Sequence, residues 1–117
     1  MIYPDTIKIG GTEFNVVISK AKIFNPANGA QLNGATLMDQ RMIAVWDNPY
    51  FASSTEETFV HECIEAAVDV YDLHFVDPST GKRYSMPHSA IKTLGVALHQ
   101  AFTEANLCFG EGSHLTQ

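Results

Sequence analysis

The sequence predicts an α+β domain: a small antiparallel sheet followed by two packed helices. Three observations lead there. Apolar residues alternate with period two through much of residues 6–46. From about residue 55 the apolar period becomes three and four, first over 55–73 and again over 87–107. Turn formers cluster between these stretches, at Gly10-Gly11, at residues 25–34 and at residues 77–86.

The elements follow in order. Ile7 and Ile9, then Phe14, Val16 and Ile18, flank Gly10-Gly11 and read as a hairpin. Residues 25–34, rich in Asn, Gly and Pro, read as loop. Ala35-Thr36-Leu37-Met38 and Arg41-Met42-Ile43-Ala44-Val45-Trp46 form a second strand pair, ended by Asp47-Asn48-Pro49 because proline supplies no ladder donor. Ser53 or Ser54, with Glu56 or Glu57 three residues on, has the form of a capping box. It opens a helix whose stripe is Phe59, Val60, Cys63, Ile64, Ala67, Val70 and Tyr71. After a polar loop at 77–86, Pro87 suits the first position of a second helix, with Ile91, Leu94, Ala97, Leu98, Ala101, Phe102 and Leu107 on one face. Residues 1–108 form the one expected domain, and residues 109–117 a loose polar tail.

Composition bounds the function. The chain has 117 residues, 45% of them hydrophobic and 17% charged. A chain of that size buries roughly two-thirds of its unfolded surface, enough for a core without disulfides. Seven Lys and Arg stand against 13 Asp and Glu, a net charge of −6. That balance argues against direct nucleic-acid binding, which needs a basic face. No apolar run approaches the ~20 residues of a membrane span, and the first residues, Met1-Ile2-Tyr3-Pro4-Asp5, lack the features of a signal peptide. Cys63 and Cys108 therefore read as reduced thiols of a cytoplasmic protein.

The chemistry-bearing segment is Thr58-Phe59-Val60-His61-Glu62-Cys63-Ile64-Glu65. His61 and Glu65 lie four residues apart, so one helical turn brings them onto one face with Cβ atoms ~5–6 Å apart. That spacing suits two ligands of one metal ion. In H-E-x-x-H helices two histidines bind zinc and the glutamate is general base; this chain reads H-E-x-x-E. Carboxylate oxygen also binds zinc, at roughly 2.0–2.2 Å, and many catalytic sites combine two histidines with one glutamate. With Glu65 as the carboxylate, the missing ligand is a histidine from the next element, and His88, just after Pro87, fits best. The expected set is Zn²⁺ on His61, Glu65 and His88, with water whose pKa falls toward ~7. Glu62 takes that water's proton as it attacks a carbonyl. Tyr71, Tyr84 and His99 are oxyanion donors by residue type alone.

Other readings of the same residues stay open. His61, Glu62 and Glu65 also suit a solvated helix face with contacts between successive turns. His99 competes with His88 as third ligand or supports it from behind. His74 reads as a C-terminal helix cap, His114 as a solvated tail residue, and Cys63 as a small core residue.

From Gly34 to about Ala105 the chain resembles the compact zincin-like metallopeptidases of phages and prophages, the ImmA/IrrE-type group. The resemblance rests on the strand Arg41–Trp46, the short acidic lead after it, the Thr58-Phe59-Val60-His61-Glu62 helix and a second helix with a further ligand. It implies a zincin-like minimal fold, zinc at His61, catalysis by Glu62 and a ligand at the position of Glu65. Active members carry histidine at that position. Either the ligand types are exchanged between Glu65 and His88, or the site has decayed. The expectation is a small zinc metallopeptidase acting on a peptide or protein. The alternatives are a non-catalytic zincin-like module that binds a protein partner, and a small regulator without metal. Exposed strand edges suit either an extended peptide or self-association.

Overall fold

Two glycines set the first hairpin. The computed structural model describes residues 3–105. In it β1 (Thr6–Ile9) and β2 (Thr12–Ser19) pair antiparallel across Gly10 and Gly11, whose φ values are +57° and +84°. A two-residue turn with both φ angles positive matches the twist of the strands it joins. Gly10 is required for a second reason. A Cβ there would lie 2.6 Å from Val70 Cγ1, so the turn packs against the helix end with no room for a side chain.

The segment expected to be loop at 25–34 includes part of a short hairpin, β3 (Ile23–Phe24) with β4 (Gln31–Leu32). Its turn is held by Asn25 and Asn28, each accepting a backbone N–H two residues on, at 2.8 and 2.9 Å. β5 (Gly34–Leu37) and β6 (Met42–Trp46) then form the expected second antiparallel pair. The four longer strands make one sheet in the order β1-β2-β6-β5. It is mostly antiparallel, but its central pair, β2 and β6, runs parallel from Asn15↔Met42 to Ser19↔Trp46. The chain between Ser19 and Met42 is long enough to return to the starting end, as a parallel pairing requires. Strand alternation alone carries no signal of that direction.

α1 (Ala52–Val70) covers the sheet, and Phe59 and Ala66 close the core with Phe14, Ile43 and Val45. Tyr3 meets Phe59 edge to face at a centroid distance of 5.2 Å. The expected capping box does not form: the N-cap is Phe51, with no side-chain cap, and Ser53 and Ser54 lie inside the first turn. The entry is shaped instead by Asn48 Oδ1, which accepts from Tyr50 and Phe51 N–H, and by Thr55 Oγ, which accepts from Asn48 N–H at 2.9 Å. At the other end Asp72 takes a left-handed φ of 49°, and the Leu73 N–H returns to Val68 O at 2.9 Å. The backbone therefore closes this helix. His74 is not its cap: it begins β7 (His74–Val76), and its ring contacts Asp72 O and Arg83.

β7 pairs with β8 (Arg83–Ser85), so the expected loop at 77–86 contains one arm of a hairpin. Asp77 anchors its tip by accepting from Ser79 N–H and Oγ at 2.9 and 2.7 Å. The hairpin delivers the chain to α2 (His88–Glu104), with Pro87 one place earlier than expected, as the N-cap. α2 rests chiefly on α1 and buries Ile91 and Gly95 there. Among the described residues no helix is long and apolar enough to cross a membrane. Leu107, Cys108, His114 and the expected tail at 109–117 lie outside the described residues.

Candidate metal centre

α1 presents His61, Glu62 and Glu65 toward the start of α2, where His88 is the first helical residue. Gly95 on α2 faces His61 across the helix pair, and a Cβ there would meet His61 Cα at an ordinary contact distance of 3.4 Å. His61 Nε2 is 3.5 Å from Glu65 Oε1, and His88 Nδ1 is 3.2 Å from the same oxygen. The imidazoles meet edge to face with centroids 4.9 Å apart. One ligand atom from each of His61, Glu65 and His88 lies within 4.8 Å of the other two. Tetrahedral ligands at zinc distances are separated by roughly 3.3–3.5 Å; the His61–Glu65 separation falls in that range and the His88–Glu65 separation just below it. This group can hold a metal ion. Among the described residues it is the one such cluster of His, Cys, Asp or Glu. Without a cation, the His88–Glu65 contact is an imidazole-to-carboxylate hydrogen bond, and His61 lies at ion-pair distance from the same carboxylate.

Glu62 lies between His61 and β5 and is 7% exposed, with Oε2 3.9 Å from His61 Nε2. Thr36 on β5 lies beneath it, with Oγ 2.9 Å from Glu62 Oε1 and 3.0 Å from Glu62 O. Burial, reinforced by the charge of Glu65, pushes the Glu62 carboxyl up to about 7, although the Thr36 hydrogen bond and His88 pull it down. A carboxyl poised there can take and return a proton near neutral pH. Gly34 makes this approach possible. A Cβ on it would lie 2.7 Å from Thr58 Cγ2, 3.0 Å from Ala44 O and 3.1 Å from Glu62 Cγ.

Burial lowers the pKa of His61, an effect that Glu65 opposes and that His88 and Lys92 strengthen. The neutral imidazole so favoured is the ligand form. Above the cluster lies a cavity of about 260 Å³, bordered by Asn33, Thr58, His61, Glu62, His88 and Lys92.

All four expected site residues, His61, Glu62, Glu65 and His88, thus come together. His99 does not join them: its Nε2 pairs with Glu56 Oε1 at 2.9 Å. Cys63 is a free thiol turned to the core, its pKa pushed up to about 12 by burial. Neither Tyr71 nor Tyr84 borders the cavity. Thr36, Gly34, Asn33 and Lys92 escaped the sequence reading. Only Lys92 left a trace there, lying four residues after His88 and so one turn along the same helix. Comparison with known proteins finds no matching family model, curated protein or solved structure.

Proposed function

We propose that the protein is a zinc-dependent hydrolase, a small metallopeptidase, with Glu62 as its general base. The observation that carries this reading is the convergence of His61, Glu65 and His88 beside a buried carboxyl near neutral pKa, with His61, Glu62 and His88 bordering an open cavity. Two imidazoles and one carboxylate are a donor set of catalytic zinc sites, which keep a position for water or substrate. Zinc held there supplies Lewis acidity and a water pKa near ~7.

The chain's own groups supply the rest. His61 and His88 offer neutral nitrogen, and Glu65 offers the compensating charge. Glu62 takes a proton from the attacking water and returns it to the leaving amine. Thr36 fixes the direction of the Glu62 carboxyl. β5 is an edge strand and carries both Gly34 and Thr36 beside the cavity, so an extended peptide can pair along it. This reading keeps the ImmA/IrrE-type resemblance, with ligand types exchanged between Glu65 and His88. It also keeps a cytoplasmic setting, in which Cys63 stays reduced.

The test is elemental analysis after zinc loading and dialysis, with a fluorogenic peptide assay alongside. Wild type is expected to retain about one zinc per chain and to cleave peptide. His61→Ala and His88→Ala should lose the metal. Glu62→Gln should keep it and lose turnover. A wild type that retains no zinc overturns the reading.

A further inference from the structure

The cavity over the cluster is bordered by two acidic residues, Glu57 and Glu62, and by one lysine. Neither helix carries a lysine or arginine other than Lys92. Lys92 lies one turn after His88, borders the cavity and is exposed. Two acidic groups of the site are engaged: Glu65 contacts both histidines and Glu62 meets Thr36. Lys92 forms no hydrogen bond or ion pair within the described residues, and in a chain of net charge −6 it is an unpaired cation at the mouth of the site. Glu57 borders the same cavity, but the charge of Lys92 acts on His61 more strongly than that of Glu57.

We infer that Lys92 is a specificity-determining residue that binds a substrate carboxylate. The substrate is then a peptide carrying a carboxylate close to the group acted on. This rests on the metal-centre reading, because it places the carboxylate relative to the reacting carbonyl. An ammonium on a four-carbon stem is a mobile point charge, suited to reaching a carboxylate without fixing its plane. The carboxylate can be a free C-terminus or an acidic side chain, two sources of one chemistry.

The experiment is titration calorimetry on full-length, zinc-loaded protein with three probes. These are N-acetyl-dialanine with a free C-terminus, its C-terminal amide, and N-acetyl-aspartyl-alanine amide. Zinc uptake is measured first for wild type, Lys92→Met and Lys92→Arg, and all three should load equally. Wild type is expected to favour one carboxylate probe over the neutral amide by about fivefold, as for an ion pair in contact with solvent. The favoured probe identifies the source. Lys92→Met should abolish the preference, Lys92→Arg should keep it, and 1 M salt should shrink it. If Lys92→Met retains the wild-type preference, the metal alone holds the carboxylate and the inference falls. Equal or absent binding of all probes to zinc-loaded wild type also overturns it, while the metal centre stands. Failure of wild type to take up zinc removes both.

Discussion

Thr36 carries one hydroxyl hydrogen and faces two acceptors, Glu62 Oε1 and Glu62 O. With Glu62 ionised, one of these contacts lacks its hydrogen. With Glu62 protonated, the carboxyl donates to Thr36 and Thr36 donates to the carbonyl, so both bonds are complete. Burial, not this bond, raises the carboxyl to about 7; the Thr36 hydroxyl, donating to the carboxylate, holds it lower than burial alone would. Thr36→Val keeps the shape and removes the hydroxyl. It is expected to lower stability by about 1–3 kcal/mol in urea unfolding, the cost of leaving a buried polar group unsatisfied; Thr36→Ser should restore most of the loss. His61, Glu62 and Glu65 were legible because helical spacing turns sequence distance into a shared face. Thr36 was not, since 26 residues separate it from Glu62 and only the sheet-to-helix contact joins them.

Two glycines sit against α1 with opposite demands. At Gly34 a methyl group would strike Thr58, the backbone of Ala44 and Glu62 at 2.7–3.1 Å. Gly34→Ala should therefore force β5 and α1 apart, lowering both thermal stability and zinc affinity. At Gly95 a methyl group would meet His61 at ordinary contact distances of 3.4–3.5 Å. Gly95→Ala should leave zinc binding intact and raise stability by up to about 1 kcal/mol, because alanine favours the helix interior. Melting curves and zinc titrations of the pair check both outcomes. The helices and the two longer hairpins were readable from period and turn residues. The β7–β8 hairpin was not: β8 is exposed along its whole length, so no apolar alternation marks it. The capping box failed for another reason. Asn48, before the helix, and Thr55, inside its first turn, organise the entry to α1 by a seven-residue contact that a capping-box spacing does not encode.

For the whole molecule, Tyr3 ties the chain's start to the core through Phe59. Burial, helped by the charges of Glu56 and Asp47, pushes its phenol up to about 12. An unfolded tyrosine loses its proton near pH ~10, while the folded one keeps it toward 12. Between these values the folded state binds more protons, so stability falls as pH rises. Urea unfolding from pH 9 to 12 should show that decline, and Tyr3→Phe should flatten part of it. At this scale the α+β class and the order of sheet then helices were legible, whereas the parallel β2–β6 pairing was not. Strand direction depends on how the 20–41 segment returns, and no periodicity encodes that path.

His88 is the donor that arrives last along the chain, on a helix that leans on α1 rather than on the sheet. A nascent polypeptide that has already wrapped α1 over its strands owns only two of the three donors. On the proposed metal-binding reading, firm capture of an ion would then wait until α2 has packed on α1.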